Sequence, residues 1–148
     1  MGLSEAIADY QVVGVDSNVF IYAYKEHPQF LPIVRPLFER LDADPEFRLV
    51  TSILTLIEVL VYPIRFNKSE LMACYTDALL NKPKILSYLV DATIAHRAAE
   101  LRARSSLRTP DAIQIATAVS VGAQAFITNA ARLKNVPDIP VFIISEFV

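Results

Sequence analysis

Residues 12–18 read V-V-G-V-D-S-N, an apolar run that ends in an acidic side chain. Four apolar or small residues in succession are typical of a strand buried on both faces of a parallel sheet. Ligands of open parallel sheets collect at the carboxyl ends of the strands, so Asp16 is predicted to lie at the mouth of the sheet. Capping of the helix that begins at Ser17 is the alternative role, because aspartate is a favoured N-cap residue.

The rest of the chain repeats this alternation of short apolar runs with longer segments of helical spacing. The predicted strands are Val12–Val15, Phe47–Thr51, Ile85–Val90, Ala125–Thr128 and Val141–Ser145. The predicted helices are Ser17–Tyr24, Leu31–Asp42, Ser52–Tyr62, Lys68–Leu80, Asp91–Ser105 and Pro110–Val121, with Pro63 expected to end the third. Such alternation predicts an α/β fold of three layers, α/β/α, with a mostly parallel sheet of about five strands. At 148 residues the chain is expected to form one domain, 1–148.

Residues 52–61 are apolar nearly all round, which predicts a helix buried on every side. Thr55 and Glu58 are its polar interior residues, and a spacing of three places them on one face. A buried carboxylate is costly unless it is paired or bound to a metal, so Glu58 is a candidate ligand. A capping box formed by Thr55 and Glu58 is the alternative, although Ile53 and Leu54 indicate that the helix begins earlier.

Asp111 follows Thr109–Pro110, which is predicted to be an N-cap followed by the first helical residue. First-turn acids are common because the helix dipole favours them, so Asp111 alone is weak evidence of function. Two carboxylates about 4 Å apart repel by roughly 4 kcal/mol at an effective dielectric of about 20. If the fold gathers Asp16, Glu58 and Asp111, a cation is therefore required, and all-oxygen ligands select Mg²⁺ or Mn²⁺ over zinc.

Composition limits the classes of protein to which this chain can belong. The chain contains no stretch of 18 apolar residues, and Glu5 and Asp9 interrupt any secretory pattern at its start. Its one cysteine, Cys74, is expected to be a small buried side chain, which suits a reducing compartment. We therefore expect a soluble, cytoplasmic protein. The net charge of −2 is not the basic balance of a typical nucleic-acid-binding protein. Any RNA contact then requires a local cationic patch or a bound metal.

Four segments resemble, in order, the successive motifs of PIN domains. They are V-V-G-V-D-S-N at 12–18, T-S-I-L-T-L-I-E at 51–58, T-P-D-A-I-Q-I-A-T-A at 109–118 and A-F-I-T-N at 125–129. The resemblance is strongest to the VapC-type toxins of bacterial and archaeal toxin–antitoxin pairs. It implies a small parallel-sheet domain whose acids bind Mg²⁺ or Mn²⁺ and which cleaves RNA phosphodiester bonds.

The same resemblance assigns roles to individual residues. Asp16, Glu58 and Asp111 match the catalytic, metal-binding acids, and the polar residues that support the site or the substrate are Asn18, Thr55, Thr128 and Asn129. An RNA substrate, an antitoxin that covers the site and a homodimer are the implied partners. The candidates for an apolar interaction surface are Tyr22, Tyr24, Phe30, Phe38, Tyr62 and Phe66, most of which are expected in the core.

One departure from the family pattern concerns the fourth motif. Where the family commonly continues T-N-D, this chain has Thr128, Asn129 and Ala130. Ala130 cannot bind a metal, which leaves open a one-metal nuclease, or a weakened or inactive PIN fold that binds RNA or protein. Asn129 and Glu146 are the residues nearby that offer replacement oxygens. A haloacid-dehalogenase-type phosphatase using Asp16 and Ser52 is a further alternative, but residues 125–131 lack the acid pair that it requires.

Arginines surround the third and fourth motifs. They are Arg97, Arg102, Arg104 and Arg108 before Asp111, and Arg132 after the strand that carries Thr128. RNA binding requires cationic contacts to the phosphate backbone, so these arginines are candidate substrate-binding residues. The alternative is a solvated helix face in which Glu100 and Arg104 form an ordinary i,i+4 pair.

Overall fold

Five parallel strands form the centre of the fold. They are β1 Val12–Val15, β2 Arg48–Ser52, β3 Ile85–Tyr88, β4 Ala125–Thr128 and β5 Val141–Ile143, in the order β3-β2-β1-β4-β5. Each of the four neighbouring pairs is parallel. The computed structural model describes all residues, Met1–Val148, and confirms the predicted α/β class.

Seven α-helices surround the sheet. They are α1 Leu3–Ala6, α2 Ser17–Tyr24, α3 Leu31–Ala43, α4 Leu54–Arg65, α5 Ser69–Leu80, α6 Ala92–Arg104 and α7 Thr109–Ser120. Two short 3₁₀ helices follow β4 and β5, at Ala131–Leu133 and Ile144–Phe147. The sequence pattern predicts all of the α-helices except α1, because four residues are too few to show a helical period. No helix combines the length and the apolar run that crossing a bilayer requires.

Two hydrophobic cores lie on opposite faces of the sheet and give the fold its three layers. On one face, Val13 and Ile127 pack with residues of α2, α3 and α5, including Phe20 and Tyr75. On the other face, Phe126 packs with α6 and α7, including Ile115. Phe126 and Ile127 enter different cores because successive side chains of a strand point to opposite faces. This arrangement confirms the predicted α/β/α architecture.

Helix α7 approaches the sheet closely at Gly14 of β1. A Cβ at Gly14 would lie 2.9 Å from the Cβ of Ala118 and 2.9 Å from Cδ1 of Phe126. A glycine therefore permits direct contact between the helix and the strand. Since α7 leads into the amino end of the parallel strand β4, the first turn of α7 lies at the carboxyl edge of the sheet. This packing brings Asp111 to the same edge as Asp16.

Three local expectations are wrong. Pro63 lies buried inside α4 rather than at its end, and the helix continues to Arg65 because the missing N–H removes only one of its hydrogen bonds. Helix α4 is not buried on every side, because Ile57, Val61 and Ile64 are 62%, 46% and 56% exposed. The elements that contact α4 most are α5 and α2, which cover only one of its faces. Cys74 is also exposed, on the outer side of α5.

Candidate active site

A cleft opens at the carboxyl ends of β1 and β4, where the strand order changes direction. In open parallel sheets this point is where ligands bind. The cleft measures about 360 Å³, and its lining residues are Asp16, Ser17, Asn18, Tyr22, Glu58, Arg108, Pro110, Asp111, Asn129, Ala130 and Arg132. The three acids that the sequence singles out thus lie in one cleft, although they come from three separate parts of the chain.

Asp16 both caps α2 and lines the cleft, so its two suggested roles coexist. Its Oδ1 accepts the backbone N–H of Ser17 at 2.8 Å, and its Oδ2 accepts the hydroxyl of Thr128 at 2.7 Å. Burial raises the pKa of Asp16 above its ordinary value, the bonds from Thr128 and Ser17 oppose this rise, and the charge of Asp111 adds to it. The carboxylate is therefore held rigidly in a place where its charge is unfavourable without a nearby cation.

Glu58 lies in the cleft, but not in the way that the sequence predicts. It is exposed, whereas Thr55 one turn earlier is fully buried and lies beneath the cleft. Partial burial raises the pKa of Glu58, and the negative charge of Asp16 raises it further, while Ser17 and Gln114 oppose the rise. The charge of Asp16 therefore acts on the Glu58 carboxylate within the cleft.

A buried polar network beneath the cleft joins the elements that carry the acids. Gln114 of α7 donates to the hydroxyl of Thr55 at 2.8 Å, and the hydroxyls of Thr55 and Thr51 are bonded at 2.7 Å. Thr51 in turn donates to the carbonyl of Val15 at 2.8 Å. Gln114 also accepts the backbone N–H of Ser52 at 3.3 Å, and Ser52 is fully buried, which removes the phosphatase role considered above. The network fixes α7, α4 and β1 relative to one another.

Gln114 is a residue that the sequence reasoning missed. A signal was present, because Gln114 is the one amide side chain in a run of small and apolar residues from 112 to 119. The argument applied to Thr55 and Glu58, that a polar side chain in an apolar helix requires a partner, identifies it equally well.

Asp111 is buried in the first turn of α7 and is paired with arginine. Its helix begins at Thr109, one residue earlier than predicted, with Arg108 in the N-cap position. Arg132 Nε donates to Asp111 Oδ2 at 2.7 Å, and Arg132 Nη2 donates to Oδ1 at 3.1 Å. Arg108 Nε lies 3.5 Å from Oδ2. Both oxygens of Asp111 are therefore bonded to one guanidinium.

The amide side chains of the cleft have different environments. Asn18 Oδ1 is buried and has no hydrogen-bond partner. Asn129 is fully engaged, because its nitrogen donates to the Tyr22 hydroxyl at 3.0 Å and its oxygen accepts the Ser145 N–H at 2.9 Å. Asn129 thus links Ser145 to Tyr22 at the cleft, and its oxygen already accepts one hydrogen bond.

Neither Ala130 nor Glu146 supplies a fourth carboxylate. Ala130 lies in the cleft wall and donates its backbone N–H to the Thr128 hydroxyl at 3.0 Å. Glu146 is paired with Lys134 and is not a lining residue of the cleft.

Three of the five candidate arginines lie away from the cleft. Arg97 is on α6 beside His96, Arg102 donates to the carbonyl of Leu107 at 3.2 Å, and Arg104 bonds Asp138 at 3.0 Å. Glu100 pairs with His96 at 2.9 Å and not with Arg104, so the expected i,i+4 pair is wrong. Arg104 does not pair with Glu100 because it bonds Asp138, which lies outside its own helix. Arg108 and Arg132 are the arginines that line the cleft.

The family model of the PIN domain matches residues 13–139 of the chain. The chain belongs to the PIN domain family. The comparison of this PIN domain with curated proteins gives no match.

Solved structures of toxin–antitoxin proteins share the fold of this PIN domain. VapBC2 from Rickettsia felis, bound to a promoter DNA fragment, is 18% identical with a TM-score of 0.70, covering 90% of this chain and 98% of that chain. A toxin–antitoxin complex from Klebsiella pneumoniae is 21% identical with a TM-score of 0.64, covering 89% of this chain and 97% of that chain. VapC20 from Mycobacterium tuberculosis, described as a sarcin–ricin loop cleaving toxin, is 15% identical with a TM-score of 0.64, covering 86% and 98%. At these identities the likeness shows a common fold.

The donor atoms of the cleft suit the divalent metal that this family implies. Carboxylate and amide oxygens are the ligands that Mg²⁺ and Mn²⁺ prefer, and the unpartnered Oδ1 of Asn18 adds a neutral donor beside the acids. No three acidic, histidine or cysteine side chains are arranged to hold one ion as they stand. Both oxygens of Asp111 are already bonded to Arg132. The residues therefore fit a cation on the side of the cleft formed by Asp16 and Glu58.

Proposed function

We propose that this PIN domain is a metal-dependent endoribonuclease, the toxin of a toxin–antitoxin pair, that hydrolyses RNA phosphodiester bonds with Mg²⁺ or Mn²⁺. The observation that carries the proposal is one cleft in which Asp16, Glu58 and Asp111 meet two arginines at the carboxyl edge of the sheet. The similarity of fold to VapC20, described as a sarcin–ricin loop cleaving toxin, supports the choice of RNA.

Each side chain of the cleft has a distinct task in this proposal. Asp16 and Glu58 bind the cation with the amide oxygen of Asn18, and Thr128 holds the Asp16 carboxylate in place. A divalent cation supplies polarisation of the phosphoryl oxygen and a lower pKa of bound water. Arg108, which is largely exposed at the cleft, contacts a phosphate of the RNA backbone. Asp111 acts as a ligand or a water-orienting group only when it is free of Arg132.

The exposed face of α4 is the proposed surface for an antitoxin. Ile57, Val61 and Ile64 are spaced four and three residues apart, so they form one apolar stripe on the helix. Exposed apolar stripes of this kind are typical of protein interaction sites. Glu58 adjoins the stripe in sequence, so a partner bound there also reaches the edge of the cleft. Among the earlier aromatic candidates, Tyr62 and Phe66 are exposed on this helix end.

Two further expectations remain part of the proposal. A homodimer is implied by the resemblance to VapC-type toxins. A cytoplasmic location suits a chain whose only cysteine is free and exposed.

The test is cleavage of an end-labelled mixed RNA pool by the purified chain with Mn²⁺. Removal of the metal by EDTA and the substitution Asp16→Asn are each expected to reduce the cleavage rate by about a hundredfold or more, equivalent to about 2.7 kcal/mol in the barrier. Asp77→Asn is the matched control, because Asp77 is an exposed acid of α5 that pairs with Lys82. Equal cleavage by Asp16→Asn and Asp77→Asn would contradict the proposal.

A PIN fold that binds RNA or protein without cleaving it is the second candidate. Ala130 in the cleft wall and the arginine pairing of Asp111 are the observations that favour it. The substitution Ala130→Asp separates the two candidates. A degenerate site is expected to gain Mn²⁺ binding from this carboxylate, whereas a working site is expected to change little.

A further inference from the structure

Arg132 places a permanent positive charge inside the acidic cleft. Its guanidinium donates two roughly parallel hydrogen bonds to Asp111, at 2.7 and 3.1 Å. Such bidentate pairs are stronger and more specific in geometry than single-bonded ion pairs. Asp111 is buried whereas the Arg132 side chain is 49% exposed, so the guanidinium closes over the carboxylate from the open side.

The backbone that carries Arg132 is fixed to the cleft by a chain of contacts. The next residue, Leu133, is fully buried in the core below α6 and α7, and its N–H donates to the Ala130 carbonyl at 3.0 Å. Ala130 donates to the Thr128 hydroxyl at 3.0 Å, and Thr128 donates to Asp16 at 2.7 Å. A short turn with an anchored backbone therefore fixes the position of the guanidinium relative to Asp16.

A count of charges in the cleft indicates how many metal ions it accommodates. The three carboxylates of Asp16, Glu58 and Asp111 face the two guanidiniums of Arg108 and Arg132, which leaves one negative charge. One divalent cation reverses this to one positive charge, which a single phosphodiester then neutralises. A second divalent cation would leave three positive charges and meet direct repulsion from the arginines. The wall formed by Ala130 offers no carboxylate to hold it.

We propose that Arg132 replaces a second metal ion in this cleft, as a positioning residue that holds Asp111 and limits the site to one divalent cation beside Asp16 and Glu58. This inference rests on the proposed metal-dependent function. It assigns to a side chain of the protein a positive charge that a second metal ion would otherwise supply.

Mn²⁺ binding in the absence of RNA tests the inference. The number of ions bound and their dissociation constant are measured from the electron paramagnetic resonance signal of free Mn²⁺. Wild-type protein is expected to bind one ion. In Arg132→Gln the affinity is expected to increase roughly tenfold, because a repelling unit charge is removed. Arg132→Lys keeps the charge and is expected to stay within about twofold of the wild type on the same grounds.

Arg104→Gln is the matched control, since Arg104 also bonds one oxygen of an aspartate, Asp138, but lies outside the cleft. Two outcomes would overturn the role of Arg132 but leave the metal-dependent function standing. One is two ions bound to the wild type, and the other is equal affinities for wild type, Arg132→Gln and Arg104→Gln. No Mn²⁺ binding by any of these proteins, each shown to be folded by circular dichroism, would overturn the metal-dependent function as well. The wild-type count keeps the inference open to refutation even if Arg132→Gln does not fold, because two bound ions would overturn it.

Discussion

At the scale of single residues, Tyr75 of α5 carries a hydroxyl that the fold buries without a partner. The residue is 1% exposed, and no group accepts or donates a hydrogen bond at its oxygen. An unpaired buried polar group costs about 1–3 kcal/mol. Tyr75→Phe is therefore expected to raise the free energy of unfolding by about 1 kcal/mol at neutral pH, measured by urea denaturation.

Tyr75→Phe is also expected to change how the free energy of unfolding depends on pH in the alkaline range. Burial raises the pKa of Tyr75 to about 12, whereas a tyrosine in an unfolded chain ionises at about 10. Above that pH the unfolded state loses a proton that the folded state retains, so the stability of the wild type falls until the folded group also ionises. The advantage of Tyr75→Phe should widen across this interval. Tyr88→Phe, at a partly exposed position of β3, is the control, because Tyr88 is not among the groups whose charge acts on Tyr75. Parallel pH profiles for all three proteins would refute the assignment.

Single residues also show what a sequence can and cannot reveal. Asp16 and Asp111 were predictable because a strand end and a helix start are local signals. The exposure of Glu58 was not, because a residue's burial depends on whether another element covers its helix. The pairing of Arg132 with Asp111 joins residues 21 positions apart through a turn whose geometry no local pattern describes.

At the scale of elements, the contact between β1 and α7 depends on the missing side chain of Gly14. An added methyl group would lie 2.9 Å from both Ala118 and Phe126, too close for either to remain in place. Overpacking of this kind costs about 1–3 kcal/mol, so Gly14→Ala is expected to lower the free energy of unfolding by that amount. Chemical denaturation measures it. Gly2→Ala, where the nearest atom to an added Cβ is 3.9 Å away, is the control, and equal midpoints would argue against tight packing.

Element types were predictable from periodicity, and the two wrong expectations, the burial of α4 and its end at Pro63, have physical causes. The five strands and six of the helices follow from apolar runs and helical spacing. The exposed face of helix α4 was not predictable, because an apolar pattern does not distinguish a helix buried on every side from one with an exposed apolar face. The position of Pro63 inside α4 was not predictable either, because a proline removes one hydrogen bond of a helix without always ending it.

At the scale of the whole molecule, the overall charge is −2 and only two arginines line the cleft. From this we predict how RNA affinity depends on salt concentration. With few cationic contacts, the logarithm of the binding constant should fall only weakly with the logarithm of salt concentration. Replacing one phosphate contact, by Arg108→Gln, is expected to reduce that slope by about 0.7 for single-stranded RNA. Fluorescence anisotropy in an Asp16→Asn background measures binding without cleavage. Arg104→Gln should leave the slope unchanged, and an equal change in both would mean that Arg108 has no special role.

The bond between Thr128 and Asp16 spans 112 positions of the chain, and Arg132 comes later still. Synthesis proceeds from the amino terminus, so β1 is made long before β4, its neighbour in the sheet. The acids therefore have neither their bracing hydroxyl nor their guanidinium until residues 128–132 have also been synthesised. For the nuclease proposed above, this order means that the cleft stays incomplete during translation, so the message that encodes it is not exposed to a finished active site of its own nascent product.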